Sequence, residues 1–384
     1  MEKNLKILMI CKSLPWSYKG GIQSHTWDLS RELVTLGHEV HILTAGSLLK
    51  GQKAYQKQGV DIVEIPYIPG RYLWPLSKLA EEFFFNYEAK NWINKHEQEF
   101  DVIHLQGRSG YLYGRQKTNK PVVNTVHGLC ANELSQNMGL QDEIYRKVTA
   151  DAEQQLIDNA DKLISVSQAL KAEMIEKNNC NAEKVAVINN GVNMSTEQLA
   201  SKSSKSNKLL FVGRIAEVKG LDTLIEMMEY VDEEVELNVI GDGPMRSSFE
   251  RKVKESSFSH RIHLVGEKTR SEIDEYMKDS LALVLPSRYE TQGIVLLEAG
   301  VNGIPVIASD LEAIRESVLD GVTGFLCKVG FANQFGEAAD YLYKNQEKAA
   351  QMGKEAREHV ASNFSWTSIG ARTEKVYFEL LPVA

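Results

Sequence analysis

The chain has 384 residues, of which 43% are hydrophobic and 25% are charged, and its formal net charge is −8. This length favours two domains over one, and the composition is typical of a soluble globular protein. The negative charge argues against a general nucleic-acid or anionic-membrane binder, and no apolar run is long enough to span a bilayer.

Short apolar runs alternate with helical patterns, which predicts parallel βαβ units. The first run is too short for a signal peptide, so it is predicted to be a strand. A helix is predicted over Gly21–Leu36, with Leu29 and Leu33 on one face and Gly37 at its end. The first-half strands are predicted at Lys6–Cys11, Val40–Thr44, Val60–Ile65, Val102–Leu105, Val122–Thr125, Lys162–Val166 and Val185–Ile188.

A second series of apolar runs follows a polar, serine-rich stretch over 201–207 that is typical of a linker. The sequence therefore predicts two Rossmann-like, doubly wound parallel-sheet domains, with ligands beyond the carboxyl ends of the strands. The second-half strands are predicted at Lys208–Val212, Val235–Ile240, Ile262–Val265, Leu281–Leu285, Val306–Ala308 and Gly324–Leu326. Helices are predicted between them, for example at Leu221–Tyr230 and Arg270–Lys278, and a last helix at Trp366–Leu381.

The segment after the predicted strand Leu281–Leu285 carries the most informative chemistry. Glu290 lies in a strand-to-helix loop, and Glu298 lies about two turns into the next helix. Gly293 lies where a helix N-terminus presents free backbone N–H groups. The segment therefore offers acceptors for hydroxyls and donors for an anionic group, as a sugar attached to a nucleotide requires. Taken alone, the two glutamates also fit a general acid and base for hydrolysis.

The two glutamates follow Pro286-Ser287 and precede a Gly-Ile-Pro-Val-Ile strand, a pattern that resembles the family-4 retaining glycosyltransferases. The resemblance implies the α/β GT-B fold, in which two Rossmann-like domains face a central cleft. It implies an acceptor domain over 1–200, joined by a final helix over 366–384, and a donor domain over 201–365. The family usually has Ser-Phe-Gly after the first glutamate, whereas this chain has Thr291-Gln292-Gly293, which leaves the sugar preference open.

A cation pair is predicted at the start of the second series. Arg214 leaves the end of a strand, and Lys219 stands at the start of a helix. Two cations match a diphosphate and would stabilise the charge that develops on it as it leaves. The resembling family uses this Arg and Lys for the donor phosphates. The alternative for either residue alone is an ordinary solvated side chain.

Three further turns follow predicted strands. Gly20 and Gly21 match the glycine pair of the family's loop over the diphosphate or the acceptor, although a flexible turn is the alternative. His127 resembles the family's active-site histidine, which contacts the transferred sugar near its 6-hydroxyl; the alternative is a structural histidine. Gly241 is expected to give a backbone contact, and Asp242 is predicted to cap the next helix.

An aromatic-rich patch in the first half comprises Tyr72, Trp74, Phe83, Phe84 and Phe85. Core packing of a helix on the first sheet is preferred to contact with lipid or an apolar acceptor. The reason is that the neighbouring acidic pair at 81 and 82 opposes attraction to anionic lipids.

Together these features predict an enzyme, a hexosyltransferase that uses a nucleotide diphosphate sugar. The resemblance implies retention of configuration, and UDP-sugars are the favoured donors. No Asp-x-Asp pair occurs, so no metal or other cofactor is expected. The catalytic group is predicted to be His127, Arg214, Lys219 and Glu290. The donor site is predicted to comprise Gly20, Gly21, Gly213, Arg214, Lys219, Gly241, Glu290, Thr291, Gln292, Gly293, Ile294, Val295 and Glu298.

Several properties stay open at this point. The acceptor is a small molecule, a glycan or a lipid-linked sugar, and the chain is a monomer or a homodimer. A sugar-nucleotide epimerase of the same fold and a non-catalytic sugar-nucleotide-binding protein are the alternative functions. Four widely spaced cysteines without a metal-ligand pattern fit a reducing cytoplasm, alone or with peripheral contact at the inner face of the membrane.

Overall fold

The computed structural model describes residues 4–18, 20–68, 77–129, 140–194 and 206–382. It divides into two compact units, one formed by Met1–Gly191 with Trp366–Ala384 and the other by Val192–Ser365. The division thus falls after Gly191, whereas the sequence places it after residue 200, and most of the predicted linker lies outside the described residues. None of the described helices combines the length and apolar character needed to cross a membrane.

The first unit contains an eight-stranded sheet. Its strands are β1 (Lys6–Ile10), β2 (Glu39–Gly46), β3 (Lys53–Lys57), β4 (Val60–Pro66), β5 (Val102–Gln106), β6 (Val122–Val126), β7 (Lys162–Ser165) and β8 (Val185–Val187). The helices between them are α1 (Gly21–Thr35), α2 (Ser77–His96), α3 (Tyr111–Gly114), α4 (Leu140–Asn159) and α5 (Gln168–Asn178).

The strands of this sheet lie in the order β3-β4-β2-β1-β5-β6-β7-β8. All seven predicted strands are confirmed, with ends that shift by a few residues. The exception to the parallel pairing is β3, which pairs with β4 in antiparallel fashion. The sequence did not predict β3, because all of its side chains are exposed and it has no apolar run.

The second unit contains a six-stranded parallel sheet, and all six strands were predicted. Its strands are β9 (Lys208–Val212), β10 (Glu236–Ile240), β11 (Ile262–Gly266), β12 (Ala282–Leu285), β13 (Val306–Ser309) and β14 (Gly324–Cys327). The helices are α6 (Leu221–Glu226), α7 (Arg246–Glu255), α8 (Arg270–Asp279), α9 (Ile294–Val301), α10 (Glu312–Arg315), α11 (Ala332–Lys344) and α12 (Gln346–Asn363).

The strand order of the second sheet is β11-β10-β9-β12-β13-β14, so the order of the strands reverses between β9 and β12. Leu210 at the centre of β9 pairs with Asn238 on one side and Leu283 on the other. In open α/β sheets, the crevice beside such a reversal is where ligands bind. The loops that follow β9 and β12 therefore occupy the favoured position for a site.

The last helix, α13 (Trp366–Leu380), belongs to the first unit and packs on α1. Its first residue, Trp366, is buried, and the ring leaves no space for a side chain at Gly191, where an added β-carbon would lie 2.6 Å from it. Tyr377 near the other end of the helix is fully buried. The helix is therefore an integral part of the first unit's core.

Backbone contacts lock the loop after β9 to the loop after β12. The backbone N–H of Arg288 donates to Val218 O at 2.7 Å. Gly220 has a φ of +65°, and a β-carbon at that position would lie 1.9 Å from Pro286 O. Only glycine meets both conditions, because it has no β-carbon and adopts positive φ at little cost.

We predict that Gly220→Ala destabilises the protein strongly. The matched control is Gly321→Ala, since Gly321 has a similar φ of +72° but nothing within 4 Å of the added β-carbon. The control should lose about 1 kcal/mol of unfolding free energy from backbone strain alone, and Gly220→Ala should lose about 1–3 kcal/mol more from overpacking. Chemical denaturation of both variants measures the difference. Equal losses would contradict the backbone contact.

Candidate functional site

Glu290 is held at the reversal point of the second sheet by two hydrogen bonds to one of its oxygens. Lys219 Nζ donates to Glu290 Oε1 at 2.5 Å, and Ser287 Oγ donates to the same oxygen at 2.8 Å. The Lys219 and Glu290 side chains are 21% and 10% exposed. Among the described residues, no donor contacts Oε2 of Glu290, so this oxygen remains able to accept a hydroxyl.

The helix that follows this loop presents its N-terminus beside Glu290. Gly293 is the N-cap of α9 with φ 78° and ψ 68°, a left-handed conformation that glycine favours. The backbone N–H groups of the first helical turn have no acceptor within the helix, so this end attracts anionic or polar groups. Ile294 and Val295 supply this turn, as predicted, and Thr291 lies partly exposed in the loop before it.

Two residues of this segment differ from the prediction, one in its burial and the other in its position along the helix. The Gln292 side chain is completely buried, so only its backbone can reach a ligand. Glu298 is the fifth residue of α9, so it lies just over one turn into the helix rather than two. Its carboxylate is 3.2 Å from the guanidinium of Arg270, the first residue of α8, and it is 21% exposed.

The loop after β9 also contacts the loop after β10 through the backbone. A β-carbon on Gly241 would lie 1.9 Å from Gly213 O, and Gly241 has a φ of +139°. β9 ends at Val212, so Arg214 is the second residue after the strand and leaves its end, as predicted. Arg214 is exposed and forms no ion pair with any described residue.

Asp242 does not cap the following helix, so that prediction is wrong. The N-cap of α7 is Met245, without a side-chain cap. The Asp242 carboxylate instead accepts a hydrogen bond from Gly243 N at 2.8 Å. The reason is that Pro244 lies before the helix rather than in its first turn, which moves the helix start beyond the reach of Asp242.

Gly20 and Gly21 form the N-terminus of the 15-residue helix α1, as predicted. Gly20 is the N-cap with a φ of −174°, an extended conformation that any residue adopts. Neither glycine therefore needs the positive φ that glycine permits. The space beside Gly20 is taken by Gln23, whose Oε1 would lie 2.3 Å from an added β-carbon.

His127 directly follows β6 and is partly exposed. Its Nε2 lies 2.9 Å from Oε1 of the buried Gln106, the last residue of β5. The buried ring of His25 packs edge-on against it, with the ring centroids 4.8 Å apart. His104 lies next to Gln106 in the same cluster.

Burial keeps these three histidines neutral. It lowers the pKa of His25 to about 4, and neither ring nitrogen of His25 has a hydrogen-bond partner among the described residues. Burial, together with repulsion from His25, lowers the pKa of His104 to about 3. The same causes place the pKa of His127 well below its ordinary value. A classical general base near neutral pH is therefore a poor fit to His127.

The aromatic patch has two parts. Phe85 is buried in the core of the first unit, as the preferred interpretation predicts. Phe83 is 47% exposed and, with Val148 of α4, lines an apolar cavity of about 330 Å³. Tyr72 and Trp74 lie outside the described residues.

One group within the described ranges has ligand atoms close enough together for a metal ion: Glu39, His41 and Asp61. These residues lie on β2 and β4 of the first unit. Lys6 Nζ is 2.8 Å from Glu39 Oε1, so a cation already neutralises one of the carboxylates. None of the three is a predicted site residue.

Sequence reasoning missed three polar partners of the site. Ser287 precedes Glu290 by three residues in one loop, and this short spacing was a usable signal. The pairing of Arg270 with Glu298 and of Gln106 with His127 joins different elements, so the sequence pattern gives no signal for either.

Both units match known protein families. A model of the glycosyl transferases group 1 matches residues 195–359, and a model of glycosyltransferase family 4 matches residues 19–196. An uncharacterised glycosyltransferase of Methanocaldococcus jannaschii is 30% identical over 383 residues, which cover 98% of this chain and 99% of that protein.

Solved structures show the same fold. A sucrose-phosphate synthase from Thermosynechococcus elongatus aligns with a TM-score of 0.81 at 22% identity, covering 98% of this chain and 99% of that one. Anabaena HepE in complex with UDP-glucose aligns with a TM-score of 0.75 at 18% identity, covering 98% and 100%. The chain therefore belongs to the group 1, family-4 glycosyltransferases, sugar-transferring enzymes of the GT-B fold.

Proposed function

We propose that this glycosyltransferase moves a hexosyl group from a nucleoside diphosphate sugar to an acceptor hydroxyl, with retention of configuration and without a metal ion. The observation that carries the proposal is the contact of Lys219 and Ser287 with one oxygen of Glu290 at the reversal point of the second sheet. It puts a cation and a hydroxyl acceptor side by side, as a phosphate-linked sugar requires.

Lys219 has hydrogen-bond donors left over after its ion pair with Glu290. An ammonium group has three donors, and only one of those of Lys219 is directed to Glu290. The other two serve the diphosphate, together with the exposed guanidinium of Arg214. These charges stabilise the leaving diphosphate as the bond to the sugar breaks, which is the role that a metal ion has in other transferases.

Two carboxylates bind different parts of the donor sugar nucleotide. Oε2 of Glu290 accepts a sugar hydroxyl, and the backbone N–H groups from Gln292 to Val295 donate to the donor. Glu298 binds the ribose hydroxyls, with Arg270 holding its carboxylate in place. The backbones of Gly213 and Gly241 border the nucleotide side.

The first unit is proposed to bind the acceptor. His127 contacts the transferred sugar near its 6-hydroxyl, and Gly20 and Gly21 border the diphosphate or the acceptor. The acceptor oxygen attacks the anomeric carbon on the face that the phosphate leaves. The bond between the anomeric carbon and the phosphate oxygen breaks, and that oxygen takes the proton of the acceptor hydroxyl.

Uridine diphosphate sugars are the favoured donors. The support is the Anabaena protein of the same fold, whose structure contains UDP-glucose. Cys11, Cys180 and Cys327 are free and buried, which fits action in a reducing cytoplasm.

We predict that Lys219→Met slows release of UDP from UDP-glucose by about 100- to 1000-fold, because one well-placed charge on the leaving group is lost. Lys208→Met is the matched control, since Lys208 also forms an ion pair, 2.7 Å from Asp279, but at the opposite end of β9. The control should retain the wild-type rate. Wild-type rates in both Lys219→Met and Arg214→Ala would refute the donor site.

We also predict that turnover of the donor survives a chelator. The enzyme is dialysed against EDTA, and the rate of UDP release is compared with that of the untreated enzyme. The rate should be unchanged, because Arg214 and Lys219 supply the positive charge. Loss of the rate, with recovery on adding Mg²⁺ or Mn²⁺, would contradict metal independence.

A further inference from the structure

Four polar side chains form a continuous chain through the core of the first unit. Tyr377 Oη lies 2.6 Å from His104 Nδ1, and His104 Nε2 lies 3.4 Å from Gln106 Nε2. Gln106 Oε1 lies 2.9 Å from His127 Nε2. The first three residues are at most 1% exposed, so water does not compete for these contacts. This series of hydrogen-bonded side chains joins α13 to β5 and ends at His127.

The direction of the hydrogen bonds follows from the Gln106 amide. Its nitrogen lies 3.6 Å from Met9 Sδ, a weak acceptor, and its oxygen therefore faces His127. A carbonyl oxygen accepts only, so Nε2 of His127 carries the hydrogen. The opposite nitrogen of the neutral ring, Nδ1, is then an acceptor.

The hydrogen bonds at the other end of the series, around His104 and Tyr377, fit the same orientation of the Gln106 amide. His104 Nε2 accepts from the Gln106 amide and from Thr125 Oγ1, which is 2.7 Å away. Nδ1 of His104 then carries the hydrogen and donates to Tyr377 Oη. One orientation of Gln106 therefore sets the tautomers of both histidines.

The surroundings of His127 keep its ring neutral. Burial is the main cause that lowers its pKa, and a proton on His25 or His104 would lower it further. No carboxylate within the described ranges forms an ion pair with His127. Nδ1 has no hydrogen-bond partner in the described part of the chain, and His127 as a whole residue is partly exposed. Nδ1 is therefore the nitrogen of the ring that is left to accept a hydrogen bond from a ligand.

We propose that Gln106, supported by His104 and Tyr377, is a positioning residue that fixes His127 in the Nε2–H tautomer. Nδ1 then accepts a hydrogen bond from a hydroxyl of the transferred sugar. The hydrogen bond between Nδ1 and the sugar rests on the proposed function, whereas the tautomer of His127 does not. The consequence is selection of a sugar that carries a hydroxyl at this position over the deoxy sugar, because only the former has a donor for Nδ1.

The tautomer is tested without any substrate. Protein labelled with ¹⁵N in its histidine rings is studied by NMR, and the His127 signals are assigned with His127→Asn. Wild-type His127 should show a protonated Nε2 and an unprotonated Nδ1. Gln106→Met should shift His127 to a mixture of tautomers, because the acceptor is lost at nearly the same side-chain volume.

Two further variants separate this effect from general damage to the core. Ser30→Ala removes another buried hydrogen bond of the first unit, to Thr26 O, and should leave the His127 signals unchanged. Tyr377→Phe keeps the ring but removes the hydroxyl, and should change the tautomer of His104 even if Gln106→Met does not fold. A protonated Nδ1 in the wild type, or unchanged signals in the folded Gln106 and Tyr377 variants, would overturn the proposal.

The sugar contact is tested by kinetics with UDP-glucose and its 6-deoxy analogue. Gln106→Met should lower kcat/KM for UDP-glucose by roughly tenfold, the value of one hydrogen bond, and should change that for the analogue by less than about twofold. Equal losses for both donors would refute the contact. If neither donor reacts with the wild-type enzyme, the proposed donor fails, and the NMR result still decides the role of Gln106.

Discussion

The ion pair between Lys219 and Glu290 is the interaction on which the second unit's site depends. It joins the two loops that leave β9 and β12, the strands between which the sheet order reverses. Two charges that are largely withdrawn from water need each other, since removal of either leaves the other uncompensated. The pair is possible because Gly220 lets its loop approach Pro286 without a β-carbon. Local backbone geometry thereby places a cation beside a hydroxyl acceptor.

Much of the fold could be predicted because it depends on local pattern. Buried parallel strands read as apolar runs, and the central strands β5, β6, β12 and β13 are buried along their whole length. The strand β3 has no such signature, because its polar residues are held by pairing with β4 rather than by burial. Asp242 was misassigned because the helix start depends on where the chain leaves the Gly241 turn.

The candidate site also has a part that local sequence pattern indicates and a part that only tertiary packing brings together. Glu290, Gly293 and Glu298 lie in one short segment, so their spacing alone was enough to propose a common role for them. The partners of His127 could not be found in this way, because Gln106 and Tyr377 reach the cluster from a strand and a distant helix. Their contacts depend on tertiary packing. The sequence thus drew attention to His127 as a candidate, but not to the hydrogen bonds that we propose determine which of its nitrogens accepts.

The most direct test of the account is a crystal structure of the protein with bound UDP. The account predicts the diphosphate within hydrogen-bond distance of Arg214 and Lys219, the ribose hydroxyls on Glu298, and the Lys219–Glu290 contact retained or replaced by phosphate. A nucleotide bound elsewhere on the second unit, or a diphosphate held by neither cation, would contradict the central claim.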